Sequence, residues 1–427
     1  MPRADRRVLI VAYYFPPMGL SGVQRIARFV KYLPEFGWQP EVLTVDPAGY
    51  FAYDASLLDE LVDRGIPIHR TTSFDPTRLF GKSAQVALPA ETSRRRLTAL
   101  SSWLFVPDNK IGWLPAAVRH GKRLLAEKRF DAVLATVPPY TGALIGRKLA
   151  RHAGIPLALD FRDDWVGNPR HVYPTPLHRR LHLLLERRAL DAAGAVFTIN
   201  PRIRDALRAR HAGAVPADRF AVLPQGYDAE DFARPPAQRL DGRCRFVYSG
   251  VFYDRQKPDY FLRALARVVT DHPDLRDRVE AGFVGLLPGY VAGLVQSLGI
   301  EDLVVPTGYL PHPDAVGHLM AADVLWMTVG SGPGQEQIST SKLYEYMGTD
   351  KPILGLVPEG AARDALREDA AAVVVAPEDV AGIALAMERL IRQHVTNALP
   401  QVERSLRSRF ERKSLTAELA GRLDRLV

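Results

Sequence analysis

One cysteine, Cys244, stands among 427 residues. A lone cysteine builds no disulfide framework, so a reducing cytosol is the compartment the sequence favours. No apolar run reaches the ~20 residues that a helix needs to cross a bilayer. No Gly-x-Gly-x-x-Gly follows a strand-like run, which disfavours a nicotinamide or flavin dinucleotide. No cluster has clear metal-ligand spacing: Asp160, Asp163 and Asp164 are explained by local contacts, so neither a metal nor another cofactor is expected. No recognised nucleic-acid module is present, and nucleic acid is not an expected partner. The start, with Arg6 and Arg7 before Val8-Leu-Ile-Val-Ala-Tyr-Tyr-Phe15, has no small-residue cleavage pattern and runs into Pro16-Pro17. It reads as a first buried strand rather than a leader.

What is present describes an ordinary globular chain, 47% hydrophobic and 24% charged, long enough for two domains with full cores. The net charge is +8 and the pI about 9.5. This favours anionic partners, namely nucleotides, anionic lipid headgroups or nucleic acid, and is equally met by solvated surface arginine.

Strands and helices alternate. A strand over 8–14, a proline- and glycine-bearing turn, a helix over 23–33 and a strand over 41–45 form a unit suited to phosphate. Further strands are expected at 130–136, 157–161 and, last in this series, 195–200. After a polar, proline-bearing linker near 230–243 the alternation restarts at 245–249 and continues at 279–286, 323–327, 353–357 and 373–375. The basic helix over 174–191 is expected to turn Leu181, Leu184, Leu185 and Leu190 to its apolar side. Residues 90–130 combine Arg94-Arg95-Arg96 with Trp103 and Trp113; they fit either a membrane-surface patch or an internal helix–loop–helix whose tryptophans fill a core. The end of the chain is amphipathic, through Leu415, Leu419, Leu423 and Val427.

The stretch from Glu336 to Leu354 concentrates the chemistry. Ser339, Thr340 and Ser341 are candidate N-caps of a short helix, Gly348 its stop, and Ile353 begins a strand. Unpaired N–H groups and Lys342 in the first turn suit a phosphate, and Glu345 shares the face of Lys342. A cation for the phosphate and a carboxylate for the ribose diol would hold a nucleotide. A capped surface helix with a Lys–Glu pair fits the same residues.

Ser341-Lys-Leu-Tyr-Glu-Tyr-Met-Gly-Thr-Asp-Lys-Pro-Ile-Leu354 resembles the donor-site signature of family-4 retaining glycosyltransferases of the GT-B fold. The resemblance implies an α/β chain of two Rossmann-like parallel-sheet domains facing a central cleft. Residues 1–200 would form the acceptor domain, 201–405 the donor domain, and 406–427 a helix returning to the first. Glu345 matches the glutamate on the donor ribose. The family's second glutamate falls at Gln337, with Glu336 beside it, and Asp350 stands where the family has glycine.

The other matches follow the same resemblance. The turn containing Gly19, Ser21 and Gly22 resembles the loop facing the donor phosphates. Gly250, Arg255 and Lys257 resemble the loop whose basic pair meets the diphosphate, and the run through Tyr309 and Leu310 the segment meeting the nucleobase. Asp160-Phe-Arg-Asp-Asp-Trp165 resembles a run near the acceptor, with Arg162 at a histidine position and Asp163 next to it; Tyr140 and Asp164 would lie beside the acceptor. A strand-end salt bridge explains this run equally well. The implied function is transfer from a nucleotide-sugar donor to a glycan, lipid-linked or small-molecule acceptor, with retention, in the cytoplasm or at the inner face of an anionic membrane. A sugar-nucleotide epimerase and a basic nucleic-acid binder are the alternatives.

Overall fold

The computed structural model describes residues 6–19, 21–47, 54–75, 101–213, 215–233, 242–252 and 255–427. Arg94-Arg95-Arg96 and most of the expected linker lie outside them, and of Ser21 only the main chain is described. The chain divides into two compact units, Met1–Pro224 with Arg412–Val427, and Gln225–Glu411.

The first unit is built on a seven-stranded sheet: β1 (Arg6–Val11), β2 (Trp38–Val45), β3 (Ile68–Thr71), β4 (Ala132–Val137), β5 (Leu157–Phe161), β6 (Ala193–Thr198) and β7 (Phe220–Val222). The order is β3-β2-β1-β4-β5-β6-β7, and neighbouring strands are parallel. Parallel strands covered on both faces are apolar throughout: Leu9 and Val11 enter one core cluster, Val8 and Ile10 the other. The helices are α1 (Ser21–Tyr32), α2 (Ser56–Asp63), α3 (Leu114–Glu127), α4 (Thr141–Ala153), α5 (Pro176–Ala192) and α6 (Pro201–Arg210). The final helix, Arg412–Asp424, packs Leu415, Leu419 and Leu423 in one cluster with Ile26 and Val30 of α1.

Three expectations change here. The sheet does not end at β6: β7, only three residues long, pairs Phe220 with Val196, which carries the unit to Pro224 rather than to 200. Leu181 and Leu184 face outward, because α5 turns His182, Glu186, Ala189 and Leu190 inward, where Glu186 serves an ion-pair network. The two tryptophans of 90–130 part company. Trp113 is fully buried and donates its indole N–H to Thr71 Oγ1 at 2.8 Å, whereas Trp103 is exposed.

The second unit has a six-stranded sheet: β8 (Cys244–Ser249), β9 (Val279–Val284), β10 (Val304–Gly308), β11 (Val324–Thr328), β12 (Ile353–Leu356) and β13 (Ala372–Val375), in the order β10-β9-β8-β11-β12-β13 and again parallel. Its helices include α7 (Asp259–Asp271), α8 (Val291–Leu298), α9 (His312–Met320), α10 (Ser341–Met347), α11 (Ala361–Arg367) and α12 (Val380–Val395). Trp326 of β11 stacks on Phe261 of α7 at 3.9 Å between centroids. Both sheets therefore have the doubly wound order that the strand–helix alternation implied. Ligands of such sheets sit beyond the carboxyl ends of the strands, where the order reverses. These points are β1/β4 in one unit and β8/β11 in the other.

Candidate functional site

In the second unit the chain leaves β8 at Gly250, whose φ of 121° is a conformation that favours glycine. A Cβ at Gly250 would come within 2.4 Å of Lys342 Cε, so the lysine stem lies directly against this backbone. The Ser249 N–H donates to Tyr346 Oη at 2.8 Å, fixing α10 against the end of β8. The Lys342 ammonium sits 5.5 Å from the centre of the Tyr248 ring. Among the described residues it makes no hydrogen bond or salt bridge, and burial lowers its pKa to about 8 against the opposing pull of Glu345.

One turn further along α10, Glu345 Oε1 accepts from His312 Nε2 at 3.0 Å. His312 opens α9 immediately after Tyr309-Leu310-Pro311. Leu310 packs against the cluster containing Leu343 and Tyr346, while Tyr309 is exposed. The fold thus joins Gly250, Lys342, Glu345 and the Tyr309–Leu310 segment into one neighbourhood. His312 ends the run that resembles the nucleobase segment, but its pairing with Glu345, 33 positions away, is not visible in the sequence.

The remaining expected donor residues fall around this centre. Arg255 is tied to the loop after β11: its Nη1 donates to Ser331 O at 3.0 Å, and a Cβ on Gly330 would meet its main chain at 2.3 Å. Lys257 is exposed and forms no hydrogen bond or salt bridge among the described residues. Gln337 is half-buried in a short turn, next to an exposed Glu336.

The expected capping differs. Ser339 is buried, Ser341 begins α10, and Thr340 holds the N-cap position without a side-chain cap bond. The Thr340 hydroxyl is buried instead, with no hydrogen-bond partner among the described residues. Gly348 does end α10, but with an ordinary φ of −71°; glycine is needed because a Cβ would meet the Phe232 ring at 2.4 Å. The left-handed turn lies at Asp350, with φ 58°, where the carboxylate pairs with Arg404 at 2.6 Å.

In the first unit the run from Asp160 to Trp165 is largely consumed by the fold. Asp160 is held by Arg25 at 2.8 Å and by Thr136 Oγ1 at 2.9 Å, all buried. Asp164 takes two bonds from Arg210, at 2.7 and 2.5 Å, and Arg210 also binds Glu186 at 2.9 Å. Tyr140 stacks on Trp165 at 4.7 Å and donates to the Asp164 carbonyl at 2.7 Å. The structure therefore uses Tyr140 and Asp164 to fasten the strand end.

Arg162 and Asp163 are different. Asp163 is half-buried without a hydrogen bond or salt bridge among the described residues, and burial raises its pKa against the pull of Arg162. The Arg162 guanidinium donates to the Pro138 carbonyl, but its Nε is buried without a partner among the described residues. It also explains Gly22, where a Cβ would meet Nη1 at 2.1 Å. Gly19 is half-buried in the turn before α1.

Residues 22–226 match the family model described as Glycosyl transferase 4-like domain, and residues 243–393 match the one described as Glycosyl transferases group 1. The chain belongs to the family-4 type of GT-B glycosyltransferases. A D-inositol 3-phosphate glycosyltransferase of Geodermatophilus obscurus is 28% identical over 200 residues, 42% of each chain. Another protein of that name, from Kineococcus radiotolerans, is 25% identical over 71% of this transferase and 72% of its own length. The first of these matches spans less than half of the relative.

Among solved structures, HepE of Anabaena in complex with UDP has a TM-score of 0.65 at 16% identity, covering 99% of this chain and 100% of that one. Sucrose-phosphate synthase of Thermosynechococcus elongatus has a TM-score of 0.67 at 16% identity, with 98% of both chains covered. At such identities the likeness shows the fold, and it agrees with the two Rossmann-like units of this transferase.

Proposed function

We propose that this glycosyltransferase moves a hexosyl group from a nucleotide-sugar donor to a glycan, lipid-linked or small-molecule acceptor, with retention and without a divalent metal. The observation that carries the reading is Lys342: a desolvated cation at a strand end, pressed on Gly250 and paired with no anion among the described residues. A half-buried charge lacking a counter-ion is costly in proportion to the water it has lost, and a diphosphate supplies one. Glu345, steadied by His312, would accept hydrogen bonds from the ribose diol, and the Tyr309–Leu310 main chain would meet the base.

As the bond to the sugar breaks, negative charge grows on the leaving diphosphate. Lys342 is already aimed there, with Lys257 and Arg255 as further cations of the β8 loop and the main chain around Ser339–Ser341 as further donors. Gln337 is the nearest match to a group on the sugar. Arg162, whose Nε has no partner among the described residues, and Asp163 are assigned to the acceptor. HepE of Anabaena, similar in fold, forms complexes with UDP and with UDP-glucose, which supports a uridine donor here. The family identification favours transfer over the epimerase alternative.

The test is a panel of nucleotide sugars, read first by heat stabilisation and then by product analysis with candidate acceptors. One donor should stabilise strongly and yield a glycoside of unchanged anomeric configuration, in excess chelator as well. Stabilisation by none of them would overturn the reading. Conversion of the donor without an acceptor would give the site to an epimerase. Loss of activity in chelator, restored by Mg²⁺ or Mn²⁺, would overturn the metal-free assignment.

A further inference from the structure

We propose that the outward face of α5, together with Trp103 and Leu104, docks this transferase on an anionic lipid surface. The helix packs Leu183, Leu185, Ala189 and Leu190 on the core, yet it carries apolar side chains on its outer face as well. It turns the polar His182 and Glu186 inward, and Leu177, Leu181 and Leu184 outward, with 71%, 39% and 42% of their surface exposed. Spaced i, i+4 and i+7, the three leucines form one stripe.

The stripe is extended at its N-terminal end. His178 Nε2 lies 3.4 Å from the Trp103 carbonyl and the two rings meet edge-on at 5.5 Å, which brings Trp103 and Leu104, 56% and 72% exposed, beside the helix. Exposed apolar side chains scattered singly need no explanation; a contiguous set with a tryptophan does.

Charge selects the occupant. Arg179, Arg180, Arg187 and Arg188 are exposed on the same helix. The acids offset only one of them: Glu186 is buried with Arg210 and His211, and Asp191 pairs with Arg187 at 3.7 Å. Leucines and a tryptophan framed by arginines suit the boundary between acyl chains and anionic headgroups, where apolar groups enter, tryptophan lies at headgroup level and cations meet phosphates. A second copy of this chain suits it less, because a two-fold contact sets the same patch against itself and faces arginines with arginines. No helix among the described residues is long and apolar enough to cross a membrane, so the contact is one of lying on the surface. The face lies within the first unit and does not rest on the donor assignment.

The test is co-sedimentation of the full chain with vesicles of phosphatidylcholine alone or with about 30% phosphatidylglycerol. Binding should require the anionic lipid and weaken as salt is raised. Combined Leu177→Ser, Leu181→Ser and Leu184→Ser should lower partitioning at least about tenfold, with heat stabilisation by nucleotide sugar unchanged. Combined Arg180→Gln, Arg187→Gln and Arg188→Gln should reduce binding to the level of neutral vesicles. Trp103→Ser, outside the helix, repeats the apolar test if the serine variant does not fold. Equal binding to both vesicle types, none to either, or unchanged binding by the apolar variants would overturn the proposal. A dimer that the serine substitutions dissolve, without vesicle binding, would assign the face to a second copy and overturn it too.

Discussion

Two charged runs, 160–165 in the first unit and 339–345 in the second, look alike on paper: each sets carboxylates and a cation beside a strand or a short helix. The structure treats them differently. In the first, Asp160 and Asp164 close circuits with Arg25 and Arg210 in the interior. In the second, Lys342 and Glu345 are both half-buried; Lys342 makes no hydrogen bond or salt bridge among the described residues, and Glu345 meets His312. A strand-end charge therefore speaks for a ligand only where its counter-ion is missing. Arg162 is the exception within the first run, since no described residue satisfies its Nε.

Substitutions on the two sides of this comparison should separate stability from binding. The largest effect is expected from Asp160→Ala, which strands the buried Arg25 guanidinium; about 3–5 kcal/mol of first-unit stability should be lost. A chemical denaturation curve checks it, and a loss below about 1 kcal/mol would show that the pair is not holding the strand end.

Lys342→Met should do the reverse. Affinity for UDP, read by calorimetry, should fall by about 10- to 100-fold, or roughly 1.4–2.7 kcal/mol, while the melting temperature holds or rises, because a desolvated charge has gone. A lower melting temperature with unchanged affinity would erase the contrast between the runs.

The same lysine predicts a pH dependence. Its folded pKa is lowered from 10.5 to about 8, so UDP affinity should decline as pH rises through 8, and the decline should be flatter in Lys342→Met. Stability runs the other way. Between about 8 and 10.5 the unfolded chain holds this proton more tightly than the folded one, so the lysine's contribution to stability should rise with pH across that window. UDP titrations at intervals from neutral to alkaline pH would show whether the decline is there.

Glu345→Gln should weaken UDP about tenfold, with little change in melting. His312→Leu should weaken it about three- to tenfold by releasing Glu345, and His312→Gln, which keeps a donor, should restore much of the loss. The discriminating readout is selectivity for UDP over its 2′,3′-dideoxy analogue, which a purely structural histidine would leave alone. The smallest effect is expected at Asp350→Gly. Glycine relieves the left-handed backbone but loses the Arg404 pair, so stability should move by less than about 1 kcal/mol with nucleotide affinity unchanged.

Much of this molecule was legible from local pattern. Leu157–Phe161 is a strand in both readings because five apolar or strand-facing residues between Gly154-Ile-Pro and a charged run leave little else. β7 is not legible as a member of the sheet because three residues carry no period. The outward turn of Leu181 and Leu184 is not legible because helical spacing marks a stripe without saying which way it faces; Leu185 and Leu190 pack inward beside the buried Glu186–Arg210 pair.

The alternation of apolar runs and helices, the Gly-bearing turns and the Ser341–Leu354 run depend on residues close together in the chain, and they suffice for two parallel α/β units and for a short helix that carries Lys342 and Glu345 one turn apart. Whether a charge is spent or open depends on groups far apart in sequence. Arg25 meets Asp160, Arg210 meets Asp164, His312 meets Glu345 and Gly250 meets Lys342 only once the sheets are wound. Burial then magnifies each meeting, because a charge removed from water must find a partner in the protein or take one from a ligand.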